Sequence, residues 1–234
     1  MSFDKLKAEL EETIKGVNRY NPNHIPKLQE CITAMIRENN YSKDVLLTTL
    51  KLYQLNPKDY NEEFTRDVLL KTMMVFPRND YALAKYLIDG NRASSPELQR
   101  VMDIGALLES CNFSVFWRLI RNEYVPTDGQ DEKFKNPDEV QRLLKPINGF
   151  EDAVRHYACR VITATFQTIE ADQLIRLLGG ISEAECRGYA NLYKWEKRND
   201  STYFIKNHEA TIKSRNVEER LKFEQCAEVL RTFT

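Results

Sequence analysis

The chain has 234 residues, 42% of them hydrophobic and 29% charged, which fits a globular protein and excludes a disordered one. Lys and Arg number 34 against 35 Asp and Glu, so the net charge of -1 excludes the overall basic footprint of a dedicated nucleic-acid binder. Eight Gly and eight Pro are too few for the frequent turns of an all-β sandwich or barrel, so the chain reads as mostly helical. A chain of this length buries about three-quarters of its surface on folding, enough for a core without disulfide or metal staples.

The first predicted element is an amphipathic helix. Phe3, Leu6, Leu10, Ile14 and Val17 keep helical spacing, and Gly16 with the Arg19-Tyr-Asn-Pro22 run ends it. Three X-Pro pairs come next, at Asn21-Pro22, Asn56-Pro57 and Ser95-Pro96. Proline suits the first turn of a helix, where its missing N–H has no partner to lose. Their spacing is that of helix–turn–helix repeats, which bury their apolar faces by stacking on neighbours. Within this array Ser42 is placed to cap a helix carrying Val45, Leu46, Leu50, Leu52 and Tyr53. Asp80 opens another, with Leu83, Ala84, Leu87 and Ile88. Ser94 or Ser95 with Glu97 caps the next, which carries Val101, Ile104, Leu107 and Leu108. Phe113, Phe116, Trp117 and Ile120 form a stripe read as core packing.

Residues 122–148 interrupt the pattern with Pro126, Gly129, Pro137 and Pro146. They read as a mobile surface linker with one helical turn at 137–144. The expected division is a helical-repeat domain over 1–121, the linker, and a second domain over 149–234.

That second domain begins with the clearest helix of the chain. Phe150, Val154, Tyr157, Ala158, Val161, Ile162 and Thr165 share a face, and Glu151 and Arg155 are placed to pair at i,i+4. Phe166–Ile169 is a short β-prone stretch. A helix over about 171–178 stops at Gly179-Gly180, and Ser182 with Glu185 forms a capping box opening a helix to about Lys194. Trp195, a polar turn at 197–200 and the strand-like Thr202–Ile205 come after it, and a last helix falls within 216–231. The order helix, strand, helix, helix, hairpin is that of a winged helix. The fold class is therefore mostly α: a repeat array of the HEAT or TPR kind, then a winged helix with a small β wing.

A winged helix that reads DNA does so through its third helix. Here Arg187, Lys194, Lys197 and Arg198 in that helix and turn are balanced by Glu183, Glu185, Glu196 and Asp200, which argues against sequence-specific DNA binding. Weak RNA or phosphate contact is open to Lys197, Arg198, Lys213 and Arg215. No phosphate-cradling loop, zinc-protease motif or nucleophile elbow occurs, so no enzyme activity and no cofactor are expected. Cys31, Cys111, Cys159, Cys186 and Cys226 lie far apart, as do His24, His156 and His208; no metal site is expected. The cysteines read as reduced, mostly buried thiols of a cytoplasmic or partly nuclear protein. No stretch is apolar enough to span a membrane.

Helical repeats capped by a winged helix are the plan of the PCI domain. The strings GVNRYNP at 16–22, LKLYQLNP at 50–57, LLESCNFSVFW at 107–117 and GFEDAVR at 149–155 resemble the subunit K family of eukaryotic translation initiation factor 3. Tyr193-Lys-Trp195 and the ending LKFEQCAEVL at 221–230 extend the likeness to about residues 14–231. The segment 122–145 is longer than the family pattern. The resemblance implies a PCI-type module over about 45–225 and no active site. It implies a scaffold role beside subunit L and other PCI subunits, in an assembly that binds the small ribosomal subunit. PCI subunits of the proteasome lid or signalosome share the plan and are the alternative, as is a weak RNA-binding adaptor. PCI subunits associate through winged-helix edges and terminal helices. Trp195, Tyr203 and Phe204 on the wing side, with Val217, Leu221, Phe223 and Leu230 in the last helix, are the candidate partner contacts. Each of these residue types also suits the domain's own core.

Overall fold

A computed structural model describes residues 2–125, 137–199, 201–209, 227 and 231. The array consists of α1 (Phe3–Thr13), α2 (Ile25–Arg37), α3 (Lys43–Leu55), α4 (Glu62–Met73), α5 (Asp80–Tyr86), α6 (Gly90–Ala93), α7 (Pro96–Glu109) and α8 (Phe113–Ile120). α1 packs on α2, α2 on α3 and α4, α4 on α5 and α7, and α7 on α8. Apart from the short α6, which buries no residue, the helices bury their apolar faces against their neighbours in the array. The buried stripes are those of the sequence: Leu6 and Leu10 in α1, Val45, Leu46 and Leu50 in α3, Val101, Ile104 and Leu108 in α7, and Phe113, Phe116 and Trp117 in α8.

The helix starts differ from expectation at two prolines. Pro22 and Pro57 open single 3-10 turns, Pro22–His24 and Pro57–Asp59, and of the three expected starts Pro96 alone opens an α-helix. α4 starts instead behind Asn61, whose side-chain oxygen accepts from the Phe64 amide. Ser42 precedes α3 as expected, but its hydroxyl makes no capping bond. Val17 is 86% exposed, because α1 ends at Thr13 and a 3-10 turn over Gly16–Tyr20 breaks the helical spacing.

Side-chain bonds tie the repeats together. Gln29 donates to the Tyr53 hydroxyl at 2.8 Å, and Tyr53 meets Tyr60 edge to face at 5.7 Å. The Arg92 guanidinium lies 3.9 Å over the Tyr60 ring and donates to the Pro57 carbonyl. Tyr81 in α5 is fully buried with its hydroxyl against Gly105 of α7, where a Cβ would collide with it. Asp80, also buried, accepts from the Tyr41 hydroxyl at 2.7 Å and pairs with Lys43 at 2.8 Å. It thereby fastens the α2–α3 turn to the start of α5.

Residues 137–148 hold the helical turn expected at 137–144, and they are packed rather than free on the surface. They hold α9 (Pro137–Leu144), two turns that pack on α8, with Val140, Leu144 and Ile147 buried. Val140, Leu143, Leu144 and Ile147 keep i, i+3, i+4, i+7 spacing. The charged Asp138, Glu139, Arg142 and Lys145 between them mask the stripe in a composition scan. Asn122 donates to Asp138, and Arg100 pairs with Glu139. The remainder of the expected linker, 126–136, lies outside the described residues.

The winged helix consists of α10 (Phe150–Thr165), β1 (Thr168–Glu170), α11 (Ala171–Leu177), α12 (Glu183–Leu192), β2 (Glu196–Asn199) and β3 (Thr202–Phe204). The strands form an antiparallel sheet in the order β1-β3-β2, with Ile169 opposite Tyr203 and Lys197 opposite Tyr203 on the other side. α10 buries Phe150, Val154, Tyr157, Ala158 and Ile162, and Arg155 reaches Glu151 at 2.9 Å. The Ser182–Glu185 capping box forms in full at the start of α12. The expected last helix, 216–231, falls almost wholly outside the described residues.

The burial of ionisable groups has measurable effects at Asp80 and at two thiols. Burial works to raise the Asp80 carboxyl, but the bonds from Lys43 and Tyr41 outweigh it, and its ionisation falls below the usual carboxylate range. Its stabilisation is complete above the unfolded carboxyl's range and lost as pH falls through the lower, folded value. Asp80→Asn should cost about 1–3 kcal/mol at neutral pH in urea unfolding and flatten the acid limb of the stability profile. Burial also pushes the Cys31 thiol up to about 11 and, with Cys186 nearby, the Cys159 thiol up to about 12. Alkylation at about pH 8 should therefore leave both unmodified in the folded chain and modify both after unfolding, as peptide mapping will show.

Candidate interaction surface

The last carbonyls of any helix lack intrahelical partners. At the end of α11 the amides of the turn meet the Leu174, Ile175 and Arg176 carbonyls, and side chains from outside meet the three that come next. The Trp117 indole of α8 donates to the Leu177 carbonyl at 2.8 Å, the Arg155 Nε of α10 to Leu178 at 3.2 Å, and the Arg121 guanidinium to Gly179. Arg155 also lies 5.1 Å over the Trp117 ring. Cations here complement the negative end of the helix dipole.

Gly179 and Gly180 make this approach possible. Their φ values of +91° and +62° favour glycine, and the Gly180 amide closes the turn on the Ile175 carbonyl at 2.7 Å. A Cβ at 179 would stand 2.7 Å from the Trp117 indole, and one at 180 would stand 2.5 Å from the Arg121 guanidinium. A second tie joins α10 to the α4–α5 turn. Tyr157 stacks on Phe76 at 5.2 Å, and Arg160 donates to the Phe76 carbonyl at 2.9 Å. The array thus holds the winged helix in a fixed pose.

The wing-side candidates separate by exposure. Trp195 is 5% exposed, stacks on Tyr193 at 5.4 Å and donates to the Thr163 hydroxyl at 3.2 Å. Tyr203 is also 5% exposed. Both side chains belong to the winged-helix core; for Tyr203 this follows from alternation along β3, with Ile205 also inward. Phe204 faces the other way, is half-buried, and carries the Arg198 guanidinium 4.1 Å over its ring. Lys197 and Arg198 are exposed on β2, an edge strand whose four residues all face solvent. Val217, Leu221, Phe223, Leu230, Lys213 and Arg215 lie outside the described residues.

Leu192 on α12 is 63% exposed. It is absent from the contacts expected above, although its position is visible in the sequence. Cys186, Tyr189, Ala190 and Tyr193 turn one side of α12 inward, and Leu192 falls off that side. Its neighbours on the exposed side are mixed in charge, with Glu183, Glu185 and Arg187. This face suits a protein neighbour better than a phosphate backbone. Elsewhere a cleft of about 630 Å³ opens between α9 and the start of α10, and its acids Glu151 and Asp152 both pair with Arg155. No described helix is long and apolar enough to cross a membrane.

Residues 59–216 match the model of the CSN8/PSMD8/EIF3K family. The chain is 58% identical to eukaryotic translation initiation factor 3 subunit K of Brugia malayi, over 95% of this chain and 94% of the relative. The chain belongs to the subunit K family. Identity is 55% to the Caenorhabditis elegans subunit K, over 98% of this chain and 96% of the relative. It is 30% to the Homo sapiens subunit K, over 97% of each. The strings that carry the likeness to the subunit K family also hold junction residues: Trp117 ends one, and Gly149 and Arg155 bound another.

Gly179→Ala should cost about 2–4 kcal/mol, from left-handed strain in a residue with a Cβ plus displacement of the Trp117 ring. Thermal unfolding will measure the loss, and quenching or a shift of tryptophan fluorescence will report the displaced indole.

Proposed function

We propose that this chain is a non-catalytic scaffold subunit of eukaryotic translation initiation factor 3. In this reading it supports binding of the small ribosomal subunit and initiation of translation through protein–protein contacts in the cytoplasm. Subunit L is the proposed neighbour, with other PCI subunits nearby. The observation that carries the reading is the match along nearly the whole chain to relatives that bear the subunit K name. The same names favour it over a lid or signalosome subunit. The helical-repeat unit, 1–121, acts as the arm, and the winged-helix unit, 149–234, presents the contact surface. Phe204 and Leu192 on that surface are proposed apolar anchors, as are Val217, Leu221, Phe223 and Leu230 of the C-terminal segment. Lys197 and Arg198, with Lys213 and Arg215, are proposed for weak phosphate contact at the rim.

The test is affinity purification of the tagged chain from its own cells, with mass spectrometry of its partners and sedimentation before and after RNase. Initiation-factor subunits should be recovered and should co-sediment with small ribosomal subunits. A lid or signalosome set, or release of all partners by RNase, overturns the reading. Phe204→Asp should lower partner recovery about tenfold or more while leaving the melting profile of the isolated chain intact, the mark of an interface anchor rather than a core residue.

A further inference from the structure

Asn148-Gly149 is the one Asn-Gly pair in the sequence. It forms the turn between α9 and α10, at the rim of the 630 Å³ cleft, with both residues among those lining it. Asn148 is exposed, and its side-chain amide makes only a long, 3.5 Å contact with the Arg37 carbonyl. Gly149 has a φ of +75°, and among the described residues its own amide nitrogen has no acceptor. A backbone nitrogen next to an asparagine attacks the side-chain carbonyl carbon most readily when its own residue has no Cβ to obstruct it.

We propose that Asn148 is a site of spontaneous deamidation and that its isoaspartyl product loosens the seat of α10 on the end of α2. The Gly149 nitrogen loses its proton to solvent base and bonds to the Asn148 Cγ. The Cγ–Nδ2 bond breaks, and the leaving nitrogen takes up a proton and departs as ammonia. The resulting succinimide is opened by water at either carbonyl, to aspartate or to isoaspartate. No oxidant or reductant takes part.

The consequence depends on the surroundings of Gly149. A Cβ there would stand 2.5 Å from the Asn39 side-chain amide, so the turn is seated directly on Asn39. Asn39 in turn accepts from Lys71 at 3.3 Å, the one acceptor that meets this ammonium among the described residues. Lys71 is 1% exposed, and burial pushes its ammonium down to about 8. The isoaspartyl linkage adds a backbone carbon ahead of Gly149 and moves the turn against Asn39. Both products add a carboxylate beside Glu151 and Asp152 in the first turn of α10. The buried ammonium loses its partner, and this loss lowers the stability of the aged chain.

The full chain is aged at mildly alkaline pH, in buffer and in urea, and peptides spanning residue 148 are mapped by mass spectrometry with isoaspartate quantified. The folded chain should convert within about a hundredfold of the rate in urea, because global unfolding, which suppresses the open state by at least about a thousandfold, is not required. Suppression beyond that limit overturns the proposal. Asn148→Gln, which forms the cyclic imide far more slowly, should stay unconverted and keep its melting midpoint on ageing. The aged native chain should melt lower than the same chain before ageing. Conversion without any fall in its midpoint would overturn the structural consequence.

Discussion

The position of the winged helix depends on how the C-terminal end of α11 is satisfied. A helix that ends inside a protein leaves carbonyls that cost about 1–3 kcal/mol each if they are buried without donors. Here the donors come from two other elements. Trp117 and Arg121 lie in and just beyond α8, and Arg155 lies in α10. The Trp117 and Arg121 bonds join the array to the end of α11, while the Arg155 bond ties that end to α10 within the winged helix. A shift of the array would leave the Leu177 and Gly179 carbonyls without these donors, so the orientation is set by hydrogen-bond geometry as well as by apolar contact. Gly179 and Gly180 are the backbone's share of this arrangement, because any side chain there would occupy the indole's or the guanidinium's place.

The constraint explains why so little of the winged helix is free for readout. α12 is the helix that would enter a groove in a DNA-reading relative. Its inner side is committed to Cys186, Tyr189, Ala190 and Tyr193, and Tyr193 shares a 3.0 Å hydrogen bond with His156 of α10. Outside it leaves Glu183, Glu185, Arg187 and Leu192, in which positive charge does not prevail. Acidic residues in the first turn stabilise the helix through its dipole and repel phosphate. The surface is better matched to a neighbour that offers its own apolar and mixed-charge face.

Features coded by neighbouring residues were legible in the sequence. The capping box at Ser182–Glu185, the stop at Gly179-Gly180 and the inner stripe of α10 are local, and each formed where expected. The features that escaped needed tertiary information. Pro22 and Pro57 satisfy the rule for a helix start, yet they open 3-10 turns. That rule describes the positions proline tolerates and leaves the continuation of the helix to the residues beyond it. The helical turn expected at 137–144 formed as α9, but its burial escaped because α8 supplies the surface it packs on. Trp195 and Tyr203 are aromatic and wing-proximal, as an interface anchor would be, and only the pleat and the Thr163 partner show that they face inward. The binding surface was less legible than the fold, since exposure is a property of the packed molecule.

Phe204, proposed as an interface anchor, shows how an aromatic patch can be kept covered in the free chain. Its ring is covered by the Arg198 guanidinium at 4.1 Å, so the aromatic face is not left bare in the unassembled chain. A stacked guanidinium contributes about 0.5–1 kcal/mol at an exposed site and sheds its hydration more easily than an ammonium. A partner that offers a carboxylate draws Arg198 toward itself and uncovers the ring, and a partner that stacks above the guanidinium buries both. In either case the cost of exposing an aromatic patch in the free chain is lowered, while the apolar area remains available to an interface. The edge position of β2 gives Arg198 this freedom, because among the described residues no further strand lies on its outer side. A buried central strand would have fixed the side chain and removed the choice.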